Sequence, residues 1–246
     1  MATIFASYTD TTAYAIEQTS WEDARDHAGG GIVHHSTTRY NRGISVNLEE
    51  GKGGTWLYAV YRSFFKFDTS GISGTVSAAT IKIHGWTSYG SPDVIAVKSN
   101  AFTGGGGTIQ ASDFNNIVGF TTGASLNGNA TDYSAAIESG NWDASDFNDF
   151  TSTASLRTDM QNENEVIICL MNYTFDYLNQ EPEAGEPQAY QAGCYFQNYS
   201  GTSKDPYIDY TVATGYGHDV CGVASANISE IDGVATANVG KVIGVS

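Results

Sequence analysis

One stretch of the chain is rich in hard oxygen donors. Asp143, Asp146 and Asp149 recur every three residues, with Asn148 among them. Calcium is held by such carboxylate and amide oxygens, so Ca2+ is the cofactor these residues would take. The EF-hand pattern is absent, since no glycine stands at its sixth position and no glutamate closes the loop. The plainer alternative is structural. Asp side chains accept hydrogen bonds from nearby backbone amides and so form turns or cap helices, here ahead of a helix-forming segment at 151–161. A duplicated stretch favours it: Ala111-Ser-Asp-Phe-Asn-Asn-Ile117 returns as Ala144-Ser-Asp-Phe-Asn-Asp-Phe150, which puts Asp113 in the place of Asp146. The pair reads as two similar connections on one face.

His34 and His35, with His27 before them and Glu49-Glu50 after, form a second candidate metal set. Neighbours on a strand point to opposite faces, so two adjacent imidazoles do not converge on one ion. They read as loop histidines. Glycoside hydrolysis needs two carboxylates across a cleft, and nothing in this acidic sequence sets one such pair apart. The nucleophile elbow, the HExxH helix, the P-loop and the dinucleotide glycine pattern are all missing. The sequence therefore predicts no catalysis. Sugar recognition asks only for aromatic rings that reach solvent. The pool is Trp21, Trp86, Tyr89, Trp142, Tyr173, Phe175, Tyr177 and Tyr190. Trp142, Tyr173 and Tyr177 are the expected glycan contacts, because Tyr173-Thr-Phe-Asp-Tyr177 continues out of a core strand. Against this, rings on sandwich strands more often fill a core.

The elements that would position these residues are strands. In 246 residues, 41% are hydrophobic and 12% aromatic, only 15% are charged, and there are 28 glycines, a profile of a turn-rich β protein with a real core. Trp56–Asp68 carries β-formers on both parities and reads as a central strand. Residues 76–86 alternate, with Val76, Ala78, Thr80, Lys82, His84 and Trp86 on one face. Further strands are expected at 2–16, 31–35, 43–48, 93–97, 165–173, 193–199 and 206–212, with one short helix at 153–161. About nine or ten short strands at turn-punctuated spacing predict an all-β, antiparallel jelly-roll-type β-sandwich over 1–213. A linker at 214–221 and a C-terminal repeat extension at 222–246 would follow it.

Bulk charge limits the partners. The formal net charge is −16, from 27 acidic and 11 basic residues. Nucleic acid binding needs clustered Lys and Arg to displace counterions, so neither nucleic acid nor an anionic membrane surface is an expected partner. No stretch approaches the roughly 18 apolar residues of a membrane span. Cys169, Cys194 and Cys221 show no metal spacing, and an odd number does not suit a disulfide-built scaffold. Cys169 and Cys194 read as buried small hydrophobes, with a bridge between them open if their strands are neighbours. The opening Met-Ala-Thr-Ile-Phe-Ala-Ser-Tyr has neither the basic nor the apolar region of a secretory signal, which predicts synthesis in a host cytoplasm.

Arg62-Ser-Phe-Phe-Lys-Phe-Asp68, Ile72 and Val76-Ser-Ala-Ala-Thr-Ile-Lys-Ile83 together resemble the DNRLRE-type domains. The closing Tyr195-Phe-x-x-Tyr-Ser-Gly-Thr-Ser-Lys-Asp-Pro-Tyr-Ile-Asp-Tyr210 is similar to the end of the same module. The resemblance implies a sandwich like that of carbohydrate-binding modules, displayed on cells or virions. It implies no defined ligand.

The tail repeats with a period of 11. Gly222-Val-Ala-Ser-Ala-Asn-Ile-Ser-Glu-Ile-Asp232 is followed by Gly233-Val-Ala-Thr-Ala-Asn-Val-Gly-Lys-Val-Ile243, and a third copy opens at Gly244. So short a unit does not bury its own apolar side and needs a neighbour to complete it. Val223, Ile228, Ile231, Val234, Val239 and Val242 are the expected assembly contacts. These repeats resemble C-terminal extensions of phage structural proteins. The expectation is a bacteriophage virion structural protein, a decoration, fibre or tail appendage subunit, displayed on the particle surface. Its partners would be copies of itself and other virion proteins. The alternatives are a non-catalytic carbohydrate-binding module for cell-surface glycans, stabilised by calcium, or an extracellular filament subunit.

Overall fold

The computed structural model describes residues 1–7, 11–27, 32–34, 38–105, 107–185, 187–197, 200–213, 230–231 and 234–235. The strands are β1 (Ala2–Phe5), β2 (Thr11–Gln18), β3 (Ile32–His34), β4 (Arg39–Glu50), β5 (Trp56–Asp68), β6 (Val76–Tyr89) and β7 (Val94–Lys98). They continue with β8 (Phe147–Thr151), β9 (Glu165–Asn172), β10 (Gln188–Tyr195), β11 (Tyr207–Val212), β12 (Glu230–Ile231) and β13 (Val234–Ala235). Two α-helices are described, α1 (Trp21–Arg25) and α2 (Ala154–Asn162). The chain thus forms the all-β, antiparallel, sandwich-like fold that its strand pattern predicts.

The main sheet runs β1-β11-β6-β10-β4-β5-β2-β3, with β8 added on β6, β9 on β5 and β7 on β9. Its curl comes from two long strands that each serve two neighbours in succession. The first half of β6 pairs with β11 and its last residues pair with β10. Similarly, β5 pairs with β4 over its first half and with β9 over its second. Just beyond β1, Ala6 bridges Phe67, and the Ser7 amide donates to Lys66 O at 2.8 Å. The first segment therefore touches β11 on one side and the end of β5 on the other, folding the sheet over its own core.

β5 is buried on both faces, as a central strand should be. Phe65 and Phe67 enter a cluster with Ile81, Ile83, Ala96, Phe150, Leu156, Ile168, Leu170 and Ile208 between the two layers of the sandwich. Tyr58, Val60 and Phe64 face a second cluster, roofed by α1 and by the long connection that contributes Phe102, Ile109, Phe114, Ile117 and Leu126. The short helix α2 starts at Thr153, whose Oγ1 accepts from the Leu156 amide at 3.4 Å, and it buries Leu156 and Met160.

One expectation needs correction, that the duplicated stretches form similar connections on one face. Ala111–Asn115 is a 3-10 turn with Asp113 and Phe114 buried. In the second copy the same five residue types run from a turn into β8, and Phe147 lies opposite His84 on β6. An available strand edge decides the second conformation over local propensity. Cys169 and Cys194 are buried small side chains, as expected; they belong to two different clusters on strands that are not neighbours, so the bridge left open between them does not form. Cys221 lies outside the described residues.

Gly85 is fixed by a close approach. It sits where β6 passes the 143–144 turn, and a Cβ there would stand 1.8 Å from Asp143 O.

Candidate functional site: an aromatic outer face

The Asp143 loop is a turn and no metal cage. Asp143 Oδ1 accepts from the Ser145 amide at 2.7 Å, Ser145 Oγ at 2.8 Å and the Asp146 amide at 3.2 Å. These bonds, led by that from the Ser145 amide, hold its carboxyl below the usual range. Asp149 is paired with Lys82, and Asp146 Oδ1 accepts from the next amide in the chain, that of Phe147. Among the described residues no three His, Cys, Asp or Glu are placed to hold a metal ion. The turn-former alternative accounts for these oxygens, which are engaged by nearby amides, a hydroxyl and Lys82. His34 lies in β3, its backbone opposite Thr12, and His35 lies outside the described residues.

Two of the three expected glycan contacts are interior. Trp142 is 4% exposed and packs on Phe150 with ring centroids 6.4 Å apart. Its indole Nε1 is buried without a hydrogen-bond partner among the described residues. Tyr177 is 2% exposed and its hydroxyl donates to Asp132. Tyr173 is half-buried and stacked on Tyr177. The physical reason is a cap. Asn172 Oδ1 accepts from the Phe175 amide at 2.8 Å, so the chain coils at Tyr173–Tyr177 instead of running on into solvent. That coil tucks Asp176 and Tyr177 against the second cluster.

Asp176 completes a buried charge network. Arg62 Nε and Nη2 donate to its two carboxylate oxygens at 2.7 and 2.6 Å. Arg62 also donates to Phe114 O and Arg25 O, and its guanidinium carbon lies 4.2 Å from the Phe114 ring centroid. Arg25 donates to Asp26, Asp176 O and Ala124 O. Burial pulls the Arg25 guanidinium below its ordinary value, and Asp176 opposes that shift. Burial also lowers Arg62, but Asp176 outweighs it and the net direction is upward. The arginine that opens the Arg-Ser-Phe-Phe-Lys-Phe-Asp motif therefore bolts the roof onto the central strand. It touches no solvent and serves the fold.

Aromatic surface is found instead on the outside of the sheet. Lys82, His84 and Trp86 alternate outward along β6. Register brings neighbours beside them: Phe5 lies opposite Tyr207, Tyr207 opposite Lys82, and Phe147 opposite His84. The rings form one continuous track. Phe5 and Tyr207 are 5.7 Å apart, Tyr207 and Phe147 5.1 Å, Phe147 and His84 5.0 Å, His84 and Tyr195 5.1 Å, and Tyr195 and Trp86 5.8 Å. Most meet edge to face, the arrangement that ring quadrupoles favour. His84 and Tyr195 are buried in it, Phe147, Tyr207 and Trp86 are half-buried, and Phe5 is 43% exposed. At one end the Arg39 guanidinium carbon lies 3.5 Å above the Trp86 ring centroid. Of these residues, only Trp86 stands out in the sequence pool. The parity of 76–86 marks its face, but the ring neighbours come from four other strands and carry no local signal.

Three further clefts open among the described residues. The one between Ser20, Trp21, Glu22, Tyr58, Asn179 and Glu181 encloses about 470 Å3. In it Tyr58 Oη donates to Glu181 at 2.5 Å and Trp21 Nε1 donates to Asn179 at 2.9 Å. The others, of about 510 and 430 Å3, lie around Lys66 and Lys98; the first is lined by polar side chains and the second also by Val118 and Ala154. In the tail, β12 and β13 pair as Glu230 with Ala235 and Ile231 with Val234. Val223, Ile228, Val239 and Val242 lie outside the described residues.

No family model matched the chain, and a search of curated proteins returned no match. The resemblance to DNRLRE-type domains rests on the motif residues alone.

Proposed function

We propose that this chain is a non-catalytic structural module of a bacteriophage virion, with the sandwich displayed on the particle and the repeat tail used for assembly. The observation that carries this is the strand pair in the tail. β12 closes the first 11-residue copy and β13 opens the second, so the pairing straddles the junction between copies. Two strands of two residues are not independently stable in water. Open strand edges are the usual means by which chains add to one another. A second copy of the chain, or another virion protein, is the natural completion. The resemblance of the repeats to phage structural extensions supports the setting.

A second reading, carbohydrate binding, is favoured by the aromatic track on the outer face. It is compatible with the first, since a displayed module is well placed to meet cell-surface glycans. Deleting residues 214–246 tests the assembly reading. The expected result is a folded body that stays monomeric while the full chain forms larger species by light scattering. A truncated chain that assembles like the full one refutes it.

A further inference from the structure

We infer that Arg39, Trp86, Tyr195 and Lys204 form a receptor for the acid group of an anionic saccharide, whose adjoining units lie along the ring track of the outer face. This rests on the carbohydrate reading above and adds the ligand class and the residue that selects it.

The first support is how Arg39 is held. Its guanidinium carbon lies 3.5 Å over the Trp86 ring centroid, and Nη1 donates to Tyr195 Oη at 3.2 Å. The ring contact and the phenol together restrain the group. A guanidinium carries five N–H donors, and among the described residues the bond to Tyr195 is the one Arg39 makes. The residue is exposed. Arg25, Arg42 and Arg62 each have a carboxylate within ion-pair reach. Arg39, like Arg157, has none among the described residues, in a chain with 27 acidic residues, but Arg157 spends its guanidinium on Ser152. A planar donor fork held in place and open to solvent is suited to bidentate binding of a carboxylate or sulfate.

The second support is a neighbouring cation. Lys204 Nζ donates to the same Tyr195 Oη at 3.1 Å and lies 4.4 Å from its ring centroid. Burial pushes the Tyr195 phenol up, yet the bonds from Arg39 and Lys204 outweigh it and its net shift is downward. Two positive groups thus donate to one phenol oxygen, and an anion beside that oxygen is attracted by both. The chain as a whole, at a formal net charge of −16, repels long polyanions. That favours a ligand with sparse acid groups on an otherwise neutral chain. The ring track makes a saccharide, in preference to a lone ion, the fitting occupant. Trp86, Phe147, Tyr207 and Phe5 reach the surface in sequence across the strands. Aromatic rings supply large apolar contact with a polar fringe, which matches the apolar faces and polar rims of sugar rings.

The test uses the full chain in calorimetric titrations with a uronic-acid-containing oligosaccharide, its carboxyl-reduced neutral counterpart, and an acidic peptide. Binding of the uronic form at least tenfold tighter than the neutral one is expected. Loss of one charge-assisted bidentate contact should weaken the acidic ligand about 10- to 100-fold in Arg39→Gln, with partial rescue in Arg39→Lys. Trp86→Ala should weaken both saccharides. Lys52→Gln, an equal charge change at an exposed turn, should weaken neither. Equal affinity for acidic and neutral saccharides, or an Arg39→Gln chain that binds as the wild type does, overturns the receptor and leaves the carbohydrate reading standing. An acidic peptide bound as tightly as the uronic saccharide also overturns it, by making the site a carboxylate site alone. No binding of either saccharide overturns both readings.

Discussion

Replacing Asp176 with asparagine should be the most damaging isosteric change in the body of the molecule. Asp176 is fully buried and takes two short hydrogen bonds from Arg62, with Arg25 Nε 3.7 Å away. The substitution keeps the volume and removes the charge. Two guanidinium groups, both fully buried, would then share one remaining carboxylate, Asp26. Breaking a buried pair by neutralising one partner costs about 3–5 kcal/mol. At roughly 2–4 °C per kcal/mol for a chain of this size, Tm should fall by about 6–20 °C. Asp149→Asn is the internal standard. It breaks the Lys82 pair, whose side chains are 22% and 52% exposed, and an exposed pair contributes only about 0–1 kcal/mol. Calorimetric and urea unfolding of both variants would give the difference. An Asp176→Asn variant no less stable than Asp149→Asn would refute the view that Arg62 holds the roof to β5 through this carboxylate. If Asp176→Asn does not fold, the double variant Arg62→Met with Asp176→Leu should recover part of the loss, because an apolar pair leaves no orphaned charge between them.

Cys169 and Cys194 should resist alkylation in the native state and both react after unfolding, read by peptide mass spectrometry; their burial, and for Cys169 the upward push that burial gives its thiol, predict this. A native disulfide between them would contradict the register. Gly85→Ala should lower stability by about 1–3 kcal/mol or more, since the new methyl would meet Asp143 O and force the turn away from β6. A variant as stable as the wild type would show that the turn yields freely. Tyr40 and Tyr58 are both pushed up to about 12, chiefly by burial. The folded chain thus holds these protons more tightly than the unfolded one, in which tyrosine titrates near 10. Their stabilisation should be complete below about pH 10 and lost as pH rises through about 12. A Tm that stays flat from pH 9 to 12 would count against it.

The elements legible in the sequence were those whose pattern is local. β5 shows as Trp56–Asp68 because both parities carry β-formers, and α2 because Thr153 opens a run of helix-formers at the right length. β10 was legible only at its end, from Gly193 on, since Gln188, Tyr190 and Gln191 look like loop until β4 and β6 are set on either side of them. Exposure was the least legible property. Whether Tyr177 meets solvent depends on the Asn172 cap and on Asp132, 45 residues away. The partner of Arg62 lies 114 residues along the chain, and no spacing rule reaches so far. The two Ala-Ser-Asp-Phe-Asn segments make the same point more sharply: one sequence takes two conformations because only the second finds the edge of β6. Parity did expose Trp86 and Lys82 on one face of β6, but the ring track exists only once five strands stand in register.

The most direct test of the assembly account is amide hydrogen exchange at Glu230, Ile231, Val234 and Ala235 in the full chain, measured over a range of protein concentrations. Strands completed by another copy should show protection that rises with concentration, in step with the growth of assembled mass. Protection already complete in dilute monomer would place the completing partner within the same chain, and exchange that stays fast while the protein assembles would remove the tail from assembly altogether.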